Sequence, residues 1–206
     1  MNMQTPKRII DVAGAVVVLV ITIPALVILA ILIRLRSPGP ALYRQRRVGR
    51  HGVAFTMLKL RTMYENPSEI LAQHLAGSAD ARSEWQRYGR LRNDPRVVSG
   101  IGHWLRRTSL DELPQLWNVI RGDMSLVGPR PLEPMWREQF ARDEWNARLR
   151  VRPGVTGLWQ ISGRSDTDLA ALLRVDAAYL QHWSLWADIV ILLRTPAAVI
   201  SGRGAY

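Results

Sequence analysis

The sequence predicts an α+β fold, mainly helical with a small β-hairpin or sheet, tethered at its N-terminus to a membrane. Three observations carry that class. Residues 12–33 are uncharged and hold one polar side chain, Thr22. Residues 41–47 and 53–61 look extended on either side of Gly49-Arg50-His51-Gly52, a turn signal suited to a four-residue or bulged hairpin connection. Beyond residue 66, helical patterns alternate with loops rich in glycine and proline. The expected organisation is an anchor over 1–36 and one catalytic-type domain over 37–206.

Composition bounds what that domain meets. The chain has 206 residues, 48% of them hydrophobic, enough for a real core. Without cysteine there is no disulfide framework and no thiolate metal site. The net charge is +11, and its cations are almost all arginine, the lysines being Lys7 and Lys59. Arginine favours planar, bidentate recognition of phosphate and carboxylate, so anionic partners are expected: phosphorylated substrates, an acidic membrane surface or nucleic acid.

The first element is the apolar run, long enough to cross a bilayer as a helix. A cleaved leader would have a shorter core and a small-residue cleavage site; here Arg34-Leu35-Arg36 follows, so the segment is expected to stay attached. Lys7 and Arg8 precede the run, and Arg34, Arg36, Arg44, Arg46 and Arg47 follow it, so both ends carry the basic excess of a cytoplasmic flank. Pro24 removes a backbone hydrogen bond near the middle and is expected to kink the helix. Two topologies stand: a broken, re-entrant helix returning to the same leaflet, and a kinked spanning helix.

Ser37-Pro38-Gly39-Pro40 ends the anchor, and the hairpin follows. On its second strand Lys59 and Arg61, two apart, share a face, either as a solvated edge or as an anion contact. Helical patterns at 68–75 and 80–91 predict a surface excursion or lid, and Asn93-Asp94-Pro95 a turn. Arg106-Arg107-Thr108-Ser109-Leu110-Asp111-Glu112 then places two adjacent carboxylates after two guanidiniums, just before a helical run at 116–120. This is a candidate reaction centre, but Ser109 and Glu112 also fit a capping box that would only satisfy amides at a helix start.

Leu126-Val127-Gly128-Pro129-Arg130-Pro131 follows a break at 121–125. Pro129 and Pro131 stiffen the backbone around Arg130, which makes it either a preordered anion grip or part of the loop leading into a helix at 133–150. Residues 152–164 form a third loop, in which Gly154, Gly157 and Gly163 permit close approach to a ligand or tight turns. A helix is expected over 166–181. In the last element, Trp183 and Trp186 beside the aliphatic run 189–193 suit an interfacial amphipathic helix or core packing.

These blocks together resemble the bacterial sugar transferases, the monotopic polyprenyl-phosphate phosphoglycosyl transferases. The resemblance runs through Lys7-Arg8-x-x-Asp11, the apolar segment, Ser37-Pro38-Gly39-Pro40, Lys59-Leu60-Arg61-Thr62-Met63, residues 107–115, Gly128-Pro129-Arg130-Pro131 and Arg152-Pro153-Gly154-Val155-Thr156-Gly157. Trp159-Gln160-Ile161-Ser162-Gly163-Arg164 and Gly204-Ala205-Tyr206 are similar to members handling hexose 1-phosphates for exopolysaccharide or O-antigen. One departure is Ile23, where re-entrant members often carry a serine whose hydroxyl bonds a carbonyl freed by the kink; Thr22 is the available substitute, and the re-entrant anchor kinked at Pro24 is still expected, because the basic flanks and a cytosolic nucleotide-sugar pool ask for the same side. The longer members' multi-spanning N-terminal domain is not expected here.

The resemblance implies Asp111 as a nucleophile toward the β-phosphorus of a UDP-hexose, galactose or glucose leading. It implies Glu112 and Asp111 as holders of Mg²⁺, and Lys59, Arg106, Pro129, Arg130 and Pro131 as the substrate-binding set, with 152–164 bordering the nucleotide. Undecaprenyl phosphate would be the acceptor at the cytoplasmic face of the inner membrane. The partners would be the bilayer and these substrates, with no nucleic acid, and a homo-oligomer is permitted. Two other classes compete: a membrane-anchored binder of anionic lipid or nucleic acid, and a polysaccharide-assembly scaffold without chemistry. Asp111→Asn leaves both of those intact.

Overall fold

The computed structural model describes residues 4–88, 91–139, 141–162 and 169–201. Helix α1 (Gln4–Arg36) carries Pro24 inside it and is the one helix among the described residues long and apolar enough to cross a membrane. Its least exposed positions include Asp11, Ala15, Leu19, Thr22, Leu26, Leu29 and Ile33. Steps of three and four residues keep these on one helical stripe, and the stripe continues past Pro24.

That stripe is part of the core. Ala15 and Leu19 pack with Met57, Leu116, Val119, Met124 and Val127, while Leu29 and Ile33 pack with Leu60 and Leu105. Ends as well as middle of α1 therefore rest on the following unit. Thr22 does not replace the missing serine as expected: its hydroxyl donates to Val18 O at 2.7 Å, whereas proline at 24 frees the carbonyl of Val20.

Strands β1 (Leu42–Val48) and β2 (Ala54–Leu60) form the antiparallel hairpin, with Tyr43 opposite Lys59. His51 and Gly52 make the reversal at positive φ, 59° and 77°. Next come α2 (Pro67–Gly77) and α3 (Ala79–Tyr88), packed on each other as the expected surface excursion. Asp94 holds Arg96 through paired contacts of 2.6–3.0 Å, and Met63 bridges Val97, which returns the chain to the end of β2.

Helix α4 (Ile101–Thr108), a 3₁₀ turn (Leu110–Glu112) and α5 (Gln115–Arg121) follow. Asn118, wholly buried in α5, accepts from Leu58 N at 3.0 Å and donates to Thr56 O at 2.7 Å, fastening α5 to β2. A second, parallel sheet of β3 (Ser125–Val127) and β4 (Gly154–Thr156) was not expected, since both strands read as loop. It also explains two glycines: a Cβ on Gly154 or Gly157 would collide with the backbone of Gly128, so close approach of two chain segments requires them. Gly163 lies outside the described residues.

The single helix expected at 133–150 is instead a 3₁₀ stretch (Pro134–Gln139) and α6 (Arg142–Arg148). A short α7 (Leu158–Ile161), α8 (Leu169–Gln181) and α9 (Leu185–Ser201) complete the order. α9 continues through Pro196. The paired tryptophans divide: Trp183 packs on the core and donates to Asp188, while Trp186 is 70% exposed.

Candidate active site

The 3₁₀ turn bearing Asp111 and Glu112 exists because α4 ends at Ser109, which adopts the left-handed conformation at φ 55° and redirects the chain. This excludes the capping box. Ser109 makes no capping bond through its side chain, and Glu112 turns away to two cations. Lys59 Nζ lies 2.9 Å from Glu112 Oε1, and Arg130 Nη2 reaches the same oxygen at 3.2 Å. Arg106, on the last turn of α4, is held by Thr62 Oγ1 at 3.0 Å. Arg130 also lies 5.8 Å from the Trp159 ring centre, so a face of Trp159 backs its guanidinium.

These residues line one cleft of about 620 Å³. Lys59, Arg106 and Arg130 face Asp111 and Glu112, leaving its polar end one positive charge in excess, a suitable receptor for an added anion. Apolar side chains also line the cleft: Val18 from α1, Leu113 and Leu116, and Leu192, Pro196 and Val199 from α9. From the 152–164 loop, Val155, Thr156, Trp159 and Gln160 line the cleft, whereas Arg152 points elsewhere and Arg164 lies outside the described residues.

The two carboxylates are electrically unlike. Burial pushes the Asp111 carboxyl up to about 6, against the pull of Lys59 and with a further push from Glu112. It still ionises at neutral pH, and it keeps more basicity than an ordinary aspartate. Burial also works against the Glu112 charge, but Lys59 and Arg130 outweigh it and hold that carboxyl down to about 2. Glu112 is thus a permanent anion shared between two cations, and Asp111 is the buried carboxylate that takes part in neither ion pair.

Among the described residues no three His, Asp or Glu side chains converge as a dedicated metal cage. Magnesium does not require one: it commonly takes one or two protein carboxylates and completes its shell with water and substrate phosphates. Adjacent ionised Asp111 and Glu112 fit that donor set.

The other sequence candidates have definite places. Arg61 does not share Lys59's surroundings, because the strand ends at Leu60; its guanidinium donates to Ser37 O and Pro38 O at 2.5 and 2.6 Å and ties down the loop after α1. Pro129 and Pro131 line a narrow cavity behind Arg130, beside Arg148, and not the cleft itself. Arg148, ion-paired with Asp176, donates to Arg130 O at 2.5 Å. Among the described residues, none of α2 or α3 lines the cleft. Sequence reasoning missed Thr62, Asn118 and Thr195, the last lining the cleft with its hydroxyl 2.9 Å from that of Thr156; the parts of all three depend on contacts across the fold.

Comparison with known proteins agrees with this arrangement. The family model described as bacterial sugar transferase matches residues 2–202. The chain is 46% identical over 200 residues to a UDP-galactose-lipid carrier transferase of Erwinia amylovora, covering 97% of this chain and 41% of that protein. It is 44% identical over 200 residues to the exopolysaccharide production protein ExoY of Rhizobium meliloti, covering 97% and 88%. It is 41% identical over 210 residues to a UDP-glucose:undecaprenyl-phosphate glucose-1-phosphate transferase of Caulobacter vibrioides, covering 97% and 72%. The chain spans about two fifths of the length of the Erwinia protein, and the family model's match over 2–202 takes in every element that builds the cleft. The chain belongs to the bacterial sugar transferase family.

Proposed function

We propose that this protein is a phosphoglycosyl transferase that moves hexose 1-phosphate from a UDP-hexose to undecaprenyl phosphate and releases UMP. The observation that carries the reading is the buried, ionisable Asp111 beside Lys59, Arg106 and Arg130 in a cleft that Val18 of the apolar helix α1 also lines. In the first step a carboxylate oxygen of Asp111 bonds to the β-phosphorus. The bridging P–O bond breaks, its electron pair stays with the α-phosphate, and UMP leaves. In the second step a phosphate oxygen of undecaprenyl phosphate attacks the same phosphorus. The acyl-phosphate bond breaks, Asp111 is restored as carboxylate, and the product is the diphosphate-linked hexose.

Neither step needs a proton removed from Asp111, but both bring anions together. Lys59, Arg106 and Arg130 offset that repulsion in place, without reorganisation during the reaction. Glu112 and Asp111 would hold Mg²⁺, which supplies further neutralisation of the diphosphate when bound. Galactose and glucose are the leading hexoses, and exopolysaccharide or O-antigen synthesis is the expected setting.

The topology belongs to the same proposal. Residues 1–36 form a re-entrant anchor and residues 37–206 a catalytic unit at the cytoplasmic face of the inner membrane, where nucleotide sugars are found. Support comes from Lys7 and Arg8 at one end of α1 and Leu29 and Ile33 at the other, all contacting the same unit. Half-exposed Trp104 and Trp117, with exposed Trp186, are suited to the interface.

The test is nucleotide release. Purified protein with Mg²⁺ and undecaprenyl phosphate is given UDP-galactose, UDP-glucose and UDP-N-acetylhexosamines separately, with UMP and UDP resolved. UMP from one donor, lost in Asp111→Asn, is expected. Release of UDP would mean direct glycosyl transfer and overturn the reading; release of neither would return weight to a binder or scaffold.

A further inference from the structure

A second cavity, of about 150 Å³, lies beside the first turns of α1 and shares no lining residue with the acidic cleft. Lys7, Arg8, Arg50 and Arg152 line it, against one lining acid, Asp11. Asp11 is already occupied, accepting from Ser125 Oγ at 2.7 Å and Leu126 N at 3.0 Å. Lys7 is spent on Asp188 at 2.5 Å.

The three guanidiniums are held by neutral groups. Arg8 donates to Val119 O and Ile120 O at the end of α5, Arg152 to Gly122 O and Arg50 to Arg150 O. Such bonds orient a guanidinium without cancelling its charge, and each fork has more N–H groups than these contacts use. Burial, then the Arg8 and Arg50 charges, lower the proton affinity of Arg152, as cations gathered around a shared space should.

Position narrows the ligand. Arg8 stands four residues before the apolar run begins at Val12, which sets the cavity at the level where hydrocarbon gives way to headgroups. Tyr179, Leu180 and Trp183 form its remaining wall, amphipathic aromatics beside an aliphatic side chain. We infer that this cavity binds a phosphate ester anion, the headgroup of an anionic phospholipid, through Arg8, Arg50 and Arg152, with Trp183 and Leu180 against its apolar stem. A lipid so held would lock the start of α1 to the unit bearing the cleft.

The full chain is placed in nanodiscs of phosphatidylcholine alone or mixed with phosphatidylglycerol, and its thermal midpoint and the lipids it retains in native mass spectrometry are read. Wild type is expected to gain about 3 °C or more from phosphatidylglycerol and to retain one such lipid per chain. The Arg50→Gln/Arg152→Gln pair should lose both effects, while Arg34→Gln/Arg36→Gln, which removes exposed cations from the far end of α1, should keep them. In a phospholipid-free detergent arm, inorganic phosphate replaces chloride at constant ionic strength. Protection there but none from phosphatidylglycerol would uphold the phosphate site and overturn its lipid source. Absence of both effects in wild type overturns the proposal even if the arginine variant does not fold, and so does equal loss in the two double variants.

Discussion

Lys59 and Arg130 both end on one oxygen of Glu112, and this sets different tasks for neighbouring carboxylates. Glu112 is fixed as an anion, and Asp111 retains basicity, the better property in a nucleophile. Asp111→Asn is therefore expected to lower UMP release by about three orders of magnitude or more, with the fold kept, as circular dichroism would check. Lys59→Met should slow release about 100-fold or more, because it strips a positive charge from the polar end of the cleft and leaves Glu112 to Arg130 alone. A different residue tests electrostatics by stability. Burial alone would raise the Asp94 carboxyl, but hydrogen bonds from the Arg96 side chain and backbone outweigh it and hold the group below its ordinary 3.8. A depressed folded value means stabilisation present above the unfolded pKa and lost as pH falls through the folded one. Asp94→Asn should cost about 1.5–3 kcal/mol near neutrality, and the gap from wild type should close on acidification below the ordinary value. A gap independent of pH in thermal unfolding would remove the ion pair as its cause.

Two elements come together at Asn118, which bonds the backbone of β2 at both Thr56 and Leu58 and so fixes α5 relative to Lys59. Removing that amide in Asn118→Ala leaves buried backbone groups unpaired and should cost about 3 kcal/mol, read as a lower midpoint in denaturant, with Glu112 and Lys59 no longer in register. Nothing in the sequence around Asn118 announces this, since its partners lie some sixty positions away. Local signals served well where the element is itself local. The hairpin falls within about a residue of its expected bounds because turn and strands are contiguous, and α1 is legible because its apolar pattern needs no partner. The acidic turn was singled out by its charges, but whether it capped or reacted depended on Lys59 and Arg130 from other elements. The parallel pairing of β3 with β4 was illegible for the same reason: Ser125 and Gly154 meet across an intervening helix, and each strand has three residues. At 133–150 the charge-rich pattern favoured one helix, yet Pro134 opens a 3₁₀ stretch and α6 begins only at Arg142. Gly154→Ala tests the missed sheet, since a methyl there meets the Gly128 backbone; it should destabilise by about 1–3 kcal/mol where an exposed glycine such as Gly77, with open space around it, should tolerate the change.

For the molecule as a whole, the way α1 lies on its unit limits how both can meet a bilayer. Thirty-three helical residues extend about 50 Å if straight, against a hydrocarbon core of about 30 Å. Lys7, Arg8 and Asp11 are bonded near one end of that length, Leu29 and Ile33 are packed near the other, and Ala15, Leu19 and Leu26 fill the interval. If α1 spanned, the docked unit would have to follow it through the hydrocarbon, taking along the ion-paired cleft and its unpaired backbone edges at a cost of several kcal/mol for each unsatisfied group. A re-entrant path avoids this: the outward face of α1, including Val17, Val20, Ile21 and Ile28, meets lipid, while the stripe from Asp11 to Ile33 stays on the protein. Thr5→Cys and His51→Cys, at exposed positions before and after the apolar run, should then both react with an impermeant maleimide only from the cytoplasmic side in sealed inverted vesicles. Reaction of the two from opposite sides would establish a spanning helix, and it would require α1 to leave the core contacts at one of its ends.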